Sequence, residues 1–180
     1  MLGDAPDIHT LPVGNAGNIT AYWKGYNEYA ADGISTRKPA MWGFQAAGSA
    51  PLVLGHPVEN PETIATAIRI GKPASWDQAI AARDESGGLI DSVTDEEILS
   101  AYRILSSQEG IFCEPSSAAG LAGLIKYKAA GKLPTGKKIV ITCTGNGLKD
   151  IPWALEGAKD PIRVPVDAAA AADALGLSKA

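Results

Sequence analysis

The sequence predicts an α/β fold: an open, mainly parallel twisted sheet with helices on both faces. Three observations carry this expectation. Strand-like and helix-like segments alternate almost throughout the 180 residues, the pattern of βαβ units, which lay helices over both faces of a parallel sheet. Hydrophobic residues make up 46% and charged residues 20%, the balance of a globular domain with a substantial core. The segments richest in chemistry (residues 14–18, 114–117 and 144–147) each follow a predicted strand, and such sheets bind ligands at the carboxyl ends of their strands.

The elements follow in order. Residues 8–13 are apolar enough for a strand. Residues 18–31 form a helix, with Ile19, Tyr22, Trp23, Tyr26, Tyr29 and Ala30 at three- and four-residue spacing on one face. No basic residues interleave with these aromatics, so a base-stacking platform is not expected and the face belongs to the core. Asp32-Gly33 ends the helix. Residues 41–46 are a second strand. Residues 61–70 fit a helix, with Asn60 as cap, Pro61 at the first position and Ile64, Ala67 and Ile68 as its apolar face. Residues 76–84 fit another, capped by Ser75. Residues 88–93 are a strand. Thr94 with Glu97 three residues on makes a capping box, and the helix it opens runs to about Ser107. Residues 111–113 are a strand, residues 116–130 a helix ended by Gly131, and residues 138–142 a strand. The alanine-rich tail, residues 166–180, is a terminal helix set apart from the main body, residues 1–165. Surface loops are expected at 33–39, 55–61 and 71–73.

Net charge is −4 at a sequence pI of about 5.2, with no basic stripe, so nucleic-acid binding is not expected. No apolar run reaches the roughly 20 residues of a membrane span. Met1 to Thr10 is acidic and poor in apolar residues, unlike a secretory or transit signal, so a cytoplasmic chain is expected. Cys113 and Cys143 are the only cysteines. Both sit among apolar neighbours and read as buried free thiols. His9 and His56 have no ligand-like spacing to either, so no metal site is expected.

The most informative segment is Gly14-Asn15-Ala16-Gly17-Asn18. It joins a strand to a helix. Glycines there let a ligand approach the main chain, and loop N–H groups together with the helix start converge on one spot suited to an anion, most naturally a phosphate. An ordinary strand–helix turn has the same loop shape, and by shape alone the two readings stand even. Thr144-Gly145-Asn146-Gly147 repeats the arrangement after a later strand and adds a hydroxyl. A plain turn with Thr144 bonded to nearby backbone is the alternative. Glu114-Pro115-Ser116-Ser117 sets a carboxylate and two hydroxyls at a helix start, and Ser116 and Ser117 read as N-cap residues.

Together these segments resemble the threonine synthase family, pyridoxal-phosphate enzymes of the tryptophan-synthase-β-like fold (fold type II). The resemblance rests on Leu11 to Gly25, on Glu114-Pro115-Ser116-Ser117-Ala118-Ala119-Gly120 and on Thr144-Gly145-Asn146-Gly147-Leu148-Lys149-Asp150, in the family's order. It implies that Gly14, Asn15, Ala16, Gly17 and Asn18 hold the phosphate of pyridoxal 5′-phosphate through backbone N–H groups and the asparagine side chains. It implies that Thr144 faces the pyridine nitrogen. It places Glu114 near the ring without assigning it a role. The reaction implied is conversion of O-phosphohomoserine and water to threonine and phosphate, by a complete enzyme expected to be a homodimer, with no nucleic-acid or membrane partner.

One departure is serious. The family's Schiff-base lysine lies well upstream of the glycine loop, and no lysine precedes Gly14 here. The later lysines (Lys24, Lys38, Lys72, Lys126, Lys149) do not match that motif. The chain is therefore expected to be an incomplete, C-terminal half of such an enzyme, with no catalytic residue of its own and no turnover alone. A relative that dehydrates serine or threonine is the second reading, which the Gly14–Asn18 sequence disfavours. A non-catalytic module that binds the cofactor or its phosphate is the third.

Overall fold

A computed structural model describes residues 3–156 and 160–177. Four strands, β1 (Ile8–Pro12), β2 (Ala40–Ala46), β3 (Leu89–Val93) and β4 (Ile139–Ile141), make one sheet in the order β3-β2-β1-β4. Every neighbouring pair is parallel. Ile8 lies opposite Ala40 on one side and Ile139 on the other, and Trp42 lies opposite Leu89. The chain winds outward from β1 to β3, then crosses back to lay β4 on the free side of β1. Winding direction thus reverses between β1 and β4, which opens a crevice beyond the carboxyl ends of those two strands.

Helices cover both faces, as the alternating pattern predicts. On β2, successive side chains point to opposite faces of the sheet. Met41 joins the layer under α1 (Gly17–Ala31) and α3 (Trp76–Glu85), packed with Leu11, Val13, Ile19 and Trp23. Trp42, Phe44 and Ala46 join the layer under α4 (Asp95–Ser107) and α5 (Ala119–Ala129), packed with Ile98, Tyr102 and Ala122. Phe44 is fully buried, worth roughly 2–3 kcal/mol of apolar transfer. Helix α5 lies directly on its ring: a Cβ at Gly123 would fall 2.2 Å from Phe44 Cε1.

The capping box at α4 forms as read. Thr94 Oγ1 accepts the Glu97 N–H at 3.2 Å, and Glu97 Oε2 accepts the Thr94 N–H at 2.8 Å. Helix α1 starts one residue earlier than predicted and ends where predicted. Short helices α2 (Pro51–Leu54) and α6 (Ile151–Glu156) were not foreseen. Helix α7 (Ala168–Ala174) falls within the predicted tail helix, whose last residues, 178–180, lie outside the described residues.

Three local predictions are corrected. Residues 61–70 are not a helix but an irregular segment with one 3-10 turn, Thr66–Ile68. Asp95, the first residue of α4, holds Thr63 Oγ1 and accepts the Ile64 N–H at 3.1 Å, and Thr63 Oγ1 accepts the Ala65 N–H at 3.0 Å. Those bonds hold the segment open against its helical pattern. Residues 111–113 are not a strand: Cys113 makes one isolated antiparallel bridge to Asn146, and Ile111 and Phe112 are exposed. Residues 116–130 begin as a 3-10 turn, Pro115–Ala118, and become helical only at Ala119.

His9 on β1 is buried between the sheet and α1. Its Nε2 lies 2.6 Å from Thr142 Oγ1 and its Nδ1 3.2 Å from the Tyr26 hydroxyl, and Tyr22 packs on the ring at 5.0 Å. Burial lowers its pKa to about 4, so it is neutral at pH 7.

Candidate functional site

The glycine loop leaves β1 and enters α1 at the crevice between β1 and β4. A cavity of about 310 Å³ opens there, lined by Pro12, Gly14, Asn15, Ala16, Gly17, Asn18, Ala67, Ile68 and Thr144. The sequence-predicted residues Gly14 to Asn18 and Thr144 therefore surround one cleft, although their loops are far apart in the chain. A larger groove of about 510 Å³, between α4 and α6 with Tyr102, Phe112 and Trp153 in its walls, contains none of them.

The loop is shaped to present its main chain. Ala16 has φ 67° and ψ 5° and is the only non-glycine residue with positive φ among the described residues. Left-handed backbone in an alanine is strained, and such strain collects at binding sites. It also turns successive N–H groups inward into an anion-binding concavity. Among the described residues, none of the backbone N–H groups of Gly14, Asn15, Ala16, Gly17 and Asn18 has a hydrogen-bond partner. Ala16 itself is only 1% exposed. Donors held this way call for an acceptor from outside the chain. Among the described residues no lysine or arginine lines the cleft, so their attraction for an anion comes from these N–H groups and the dipole of α1.

The two glycines play different parts. A Cβ at Gly14 would come 2.9 Å from Ile68 Cα, whereas one at Gly17 would meet no protein atom within 4 Å. Gly14 lets the loop seat against the residue 66–68 turn. Gly17 faces open space at the cleft.

Both asparagines brace the loop. Asn18 Nδ2 donates to Pro12 O at 2.7 Å and its Oδ1 accepts the Ile19 N–H at 2.8 Å, stapling the loop's two ends. Asn15 Oδ1 accepts the Ala74 N–H at 2.7 Å, and its carbonyl accepts the Ser75 N–H at 3.2 Å. The family resemblance implies that these amides contact the anion; here the oxygens of both side chains are engaged by backbone. Asn15 Nδ2 has no partner among the described residues.

Ser116 and Ser117 were expected to cap a helix. Neither does. Their hydroxyls instead hold two segments that line the cleft. Ser116 Oγ accepts the Ala67 N–H at 3.1 Å, fixing the 66–68 turn. Ser117 Oγ accepts the Gly145 N–H at 2.8 Å and lies 3.0 Å from Thr144 Oγ1. Sequence reasoning missed this role, along with Ala67 and Ile68 as wall residues. The only signal was a serine pair following a buried proline, which capping explains equally well.

Glu114 is 3% exposed, and its N–H donates to Gly145 O at 3.0 Å. Its carboxylate lies so close to Gly145 that any Cβ there would collide with it. Lys149 Nζ approaches Glu114 Oε1 at 3.9 Å. Beside it, the Cys113 and Cys143 thiols are near enough to shift one another's titration. Cys143, half-buried, is lowered to about 7 by the Cys113 thiol, while buried Cys113 is pushed up by the same contact and by burial.

The described donors fit a phosphorylated pyridine. Five unpartnered N–H groups suit a phosphate, and Thr144 adds a residue with a hydroxyl to the lining of the same cleft.

The comparisons agree with this geometry. Residues 1–145 match the family model described as "Pyridoxal-phosphate dependent enzyme". A threonine synthase of Mycobacterium leprae (strain TN) is 58% identical over 176 residues, which are 98% of this chain and 49% of that protein. One of Synechocystis sp. (strain ATCC 27184 / PCC 6803 / Kazusa) is 55% identical over 163 residues, 91% of this chain and 42% of that protein. The chain thus spans about half the length of these curated relatives. In fold it resembles the crystal structure of a T.th. threonine deaminase, with TM-score 0.62 at 22% identity over 78% of this chain and 50% of that one. It likewise resembles threonine deaminase isoform 2 from Solanum lycopersicum, with TM-score 0.64 at 19% identity over 81% of this chain and 39% of that one. The parallel sheet, its helices on both faces and the family match together show that the chain belongs to the pyridoxal-phosphate dependent enzymes, in their fold type II.

Proposed function

We propose that this chain forms the cofactor-phosphate half of a threonine synthase, which converts O-phosphohomoserine and water to threonine and phosphate. The observation that carries the reading is the cleft at the β1–β4 reversal, lined by both the loop with its five free N–H groups and Thr144. Identity of 55–58% to threonine synthases over nearly the whole chain supports this choice of reaction.

When bound, pyridoxal phosphate supplies an electron sink for carbanions formed on the substrate. The residues here bind and orient. Gly14, Asn15, Ala16, Gly17 and Asn18 grip the phosphate through main-chain N–H groups, with Asn15 Nδ2 free to add a contact. Thr144 presents its hydroxyl to the ring nitrogen. A hydroxyl, unlike a carboxylate, does not hold that nitrogen protonated, which tempers the electron sink. Residues 1–165 carry this site and residues 166–180 form a tail. No residue described here is assigned the proton transfers.

The complete enzyme works as a homodimer in the cytoplasm on this reading. No helix among the described residues is long and apolar enough to cross a membrane.

The test is calorimetric titration of the 180-residue chain with pyridoxal 5′-phosphate, alongside an assay for threonine from O-phosphohomoserine. Binding without turnover is expected. Turnover by this chain alone, or no binding at all, overturns the proposal.

A further inference from the structure

Two segments that line the cleft are remote in the chain: the 66–68 turn, through Ala67 and Ile68, and the loop after β4, through Thr144. Their buried link is indirect. Ser116 Oγ accepts the Ala67 N–H at 3.1 Å, and the adjacent Ser117 Oγ accepts the Gly145 N–H at 2.8 Å. One direct link exists on the outside. Thr66 Oγ1 donates to Asp150 Oδ2 at 3.1 Å. Among the described residues this is the only hydrogen bond that joins residues 61–70 to residues 142–150. The two links close a ring that runs from the 66–68 turn through Ser116, Ser117, Gly145 and Asp150 back to Thr66.

Asp150 ends the 3-10 turn Gly147–Asp150. Asn146 caps the start of that turn by accepting the Leu148 N–H at 3.0 Å, and is itself bridged to Cys113. The carboxylate is thus carried on a short run of fixed backbone that begins beside Thr144. At the other end of the bond, Thr66 opens the turn that carries Ala67 and Ile68. The two sides of the ring differ in character. Ser116 and Ser117 are buried, so breaking their bonds strands polar groups away from water. Thr66 is exposed and Asp150 half-buried, so water can replace their bond without cost to the core.

We propose that Asp150 is a positioning residue: its bond to Thr66 is a latch that sets the spacing of the 66–68 turn and the loop after β4, and so the fit of a ligand that spans the cleft from the glycine loop to Thr144. The inference rests on the proposed cofactor site and adds to it a residue outside the cleft lining. A ligand held by the glycine loop alone does not need the latch. With the latch broken, Ser116 still holds Ala67, and Ser49 Oγ, 3.2 Å from the carbonyls of Ile68 and Ile70, still seats the turn against Gly14.

Two probes separate these cases. Inorganic phosphate meets only the loop. Pyridoxine 5′-phosphate carries the same group on a ring that reaches further, and having no aldehyde it needs no lysine. The affinity of each is measured by amide NMR titration of the 180-residue chain as wild type, Thr66→Val, Asp150→Ala, the double variant, Thr66→Ser and Asp150→Asn. Loss of the latch is expected to weaken pyridoxine 5′-phosphate by about three- to tenfold, the weight of one hydrogen bond, and to leave inorganic phosphate unchanged. The double variant is expected to bind no more weakly than either single one, because all three lack the same bond. Thr66→Ser keeps the donor and Asp150→Asn keeps an acceptor, and both are expected to bind like wild type. A merely structural role would weaken both probes alike, in step with a loss of stability. Equal weakening of the two probes, additive losses in the double variant, or unchanged affinity for pyridoxine 5′-phosphate when the bond is removed overturns the inference and leaves the cofactor site standing. If Asp150→Ala does not fold, Thr66→Val removes the same bond and its affinities decide. Failure of the wild-type chain to bind pyridoxine 5′-phosphate overturns the site and this inference with it.

Discussion

Acidification should cost this fold stability through one side chain. His9 is 4% exposed, and its partners are the hydroxyls of Thr142 and Tyr26 and two phenol rings. Burial holds its pKa at about 4, against 6.5 for an open histidine. The sign follows from proton counting. Between these values the unfolded chain binds a proton that the folded chain refuses, so lowering the pH favours unfolding. The stabilisation is complete above pH 6.5 and is lost as the pH falls toward 4. At about 1.4 kcal/mol per pH unit, the loss reaches about 2 kcal/mol at about pH 5 and about 3 kcal/mol at about pH 4. Urea unfolding between neutral pH and about pH 4 of the wild type and of His9→Gln isolates the effect, since carboxylates titrate in both and cancel. The stability difference between the two should shrink by about 2 kcal/mol from about pH 7 to about pH 5. A difference that stays flat, or an NMR midpoint for the His9 ring near that of an open histidine, would refute the reasoning.

Further expectations concern packing, the cleft and the thiols. Gly123→Ala forces a methyl to within 2.2 Å of Phe44 Cε1, and should lower stability in chemical denaturation by about 1–3 kcal/mol or more as overpacking; a neutral result would mean that α5 does not lie on that ring. Gly17→Ala should leave folding near wild type, because the added methyl meets no protein atom within 4 Å, yet weaken phosphate binding measured by calorimetry. Gly14→Ala drives a methyl to 2.9 Å from Ile68 Cα and should harm both. Iodoacetamide at about pH 7.5 should label Cys143 first, since its pKa is lowered to about 7 while that of Cys113 is raised; peptide mass spectrometry showing Cys113 alkylated first would contradict this.

Much of the fold is written in local signals. Thr94 and Glu97 start α4 because both halves of the capping box lie within one turn of chain, and they close in the structure as read. The predicted apolar stripe of α1 is buried at Ile19 and Trp23, whereas Tyr29, also assigned to it, is exposed. The failures mark where distant groups won. Residues 61–70 have a helical pattern, but Asp95 takes the Ile64 N–H. Residues 111–113 have a strand's composition, but β4 occupies the place beside β1.

The candidate site divides in the same way. The sequence by itself determined the α/β class, the glycine loops and the residue types at each, because backbone freedom, hydrogen-bonding capacity and hydrophobic period are properties of the residues. Only tertiary structure decided that the loop after β1 and the loop after β4 meet, because strand order is a matter of pairing between segments remote in the chain. It alone turned Ser116 and Ser117 from supposed helix caps into braces for two segments that line a cleft. A hydroxyl's partner depends on which donors and acceptors folding brings within about 3 Å of it, and local sequence does not specify that distance.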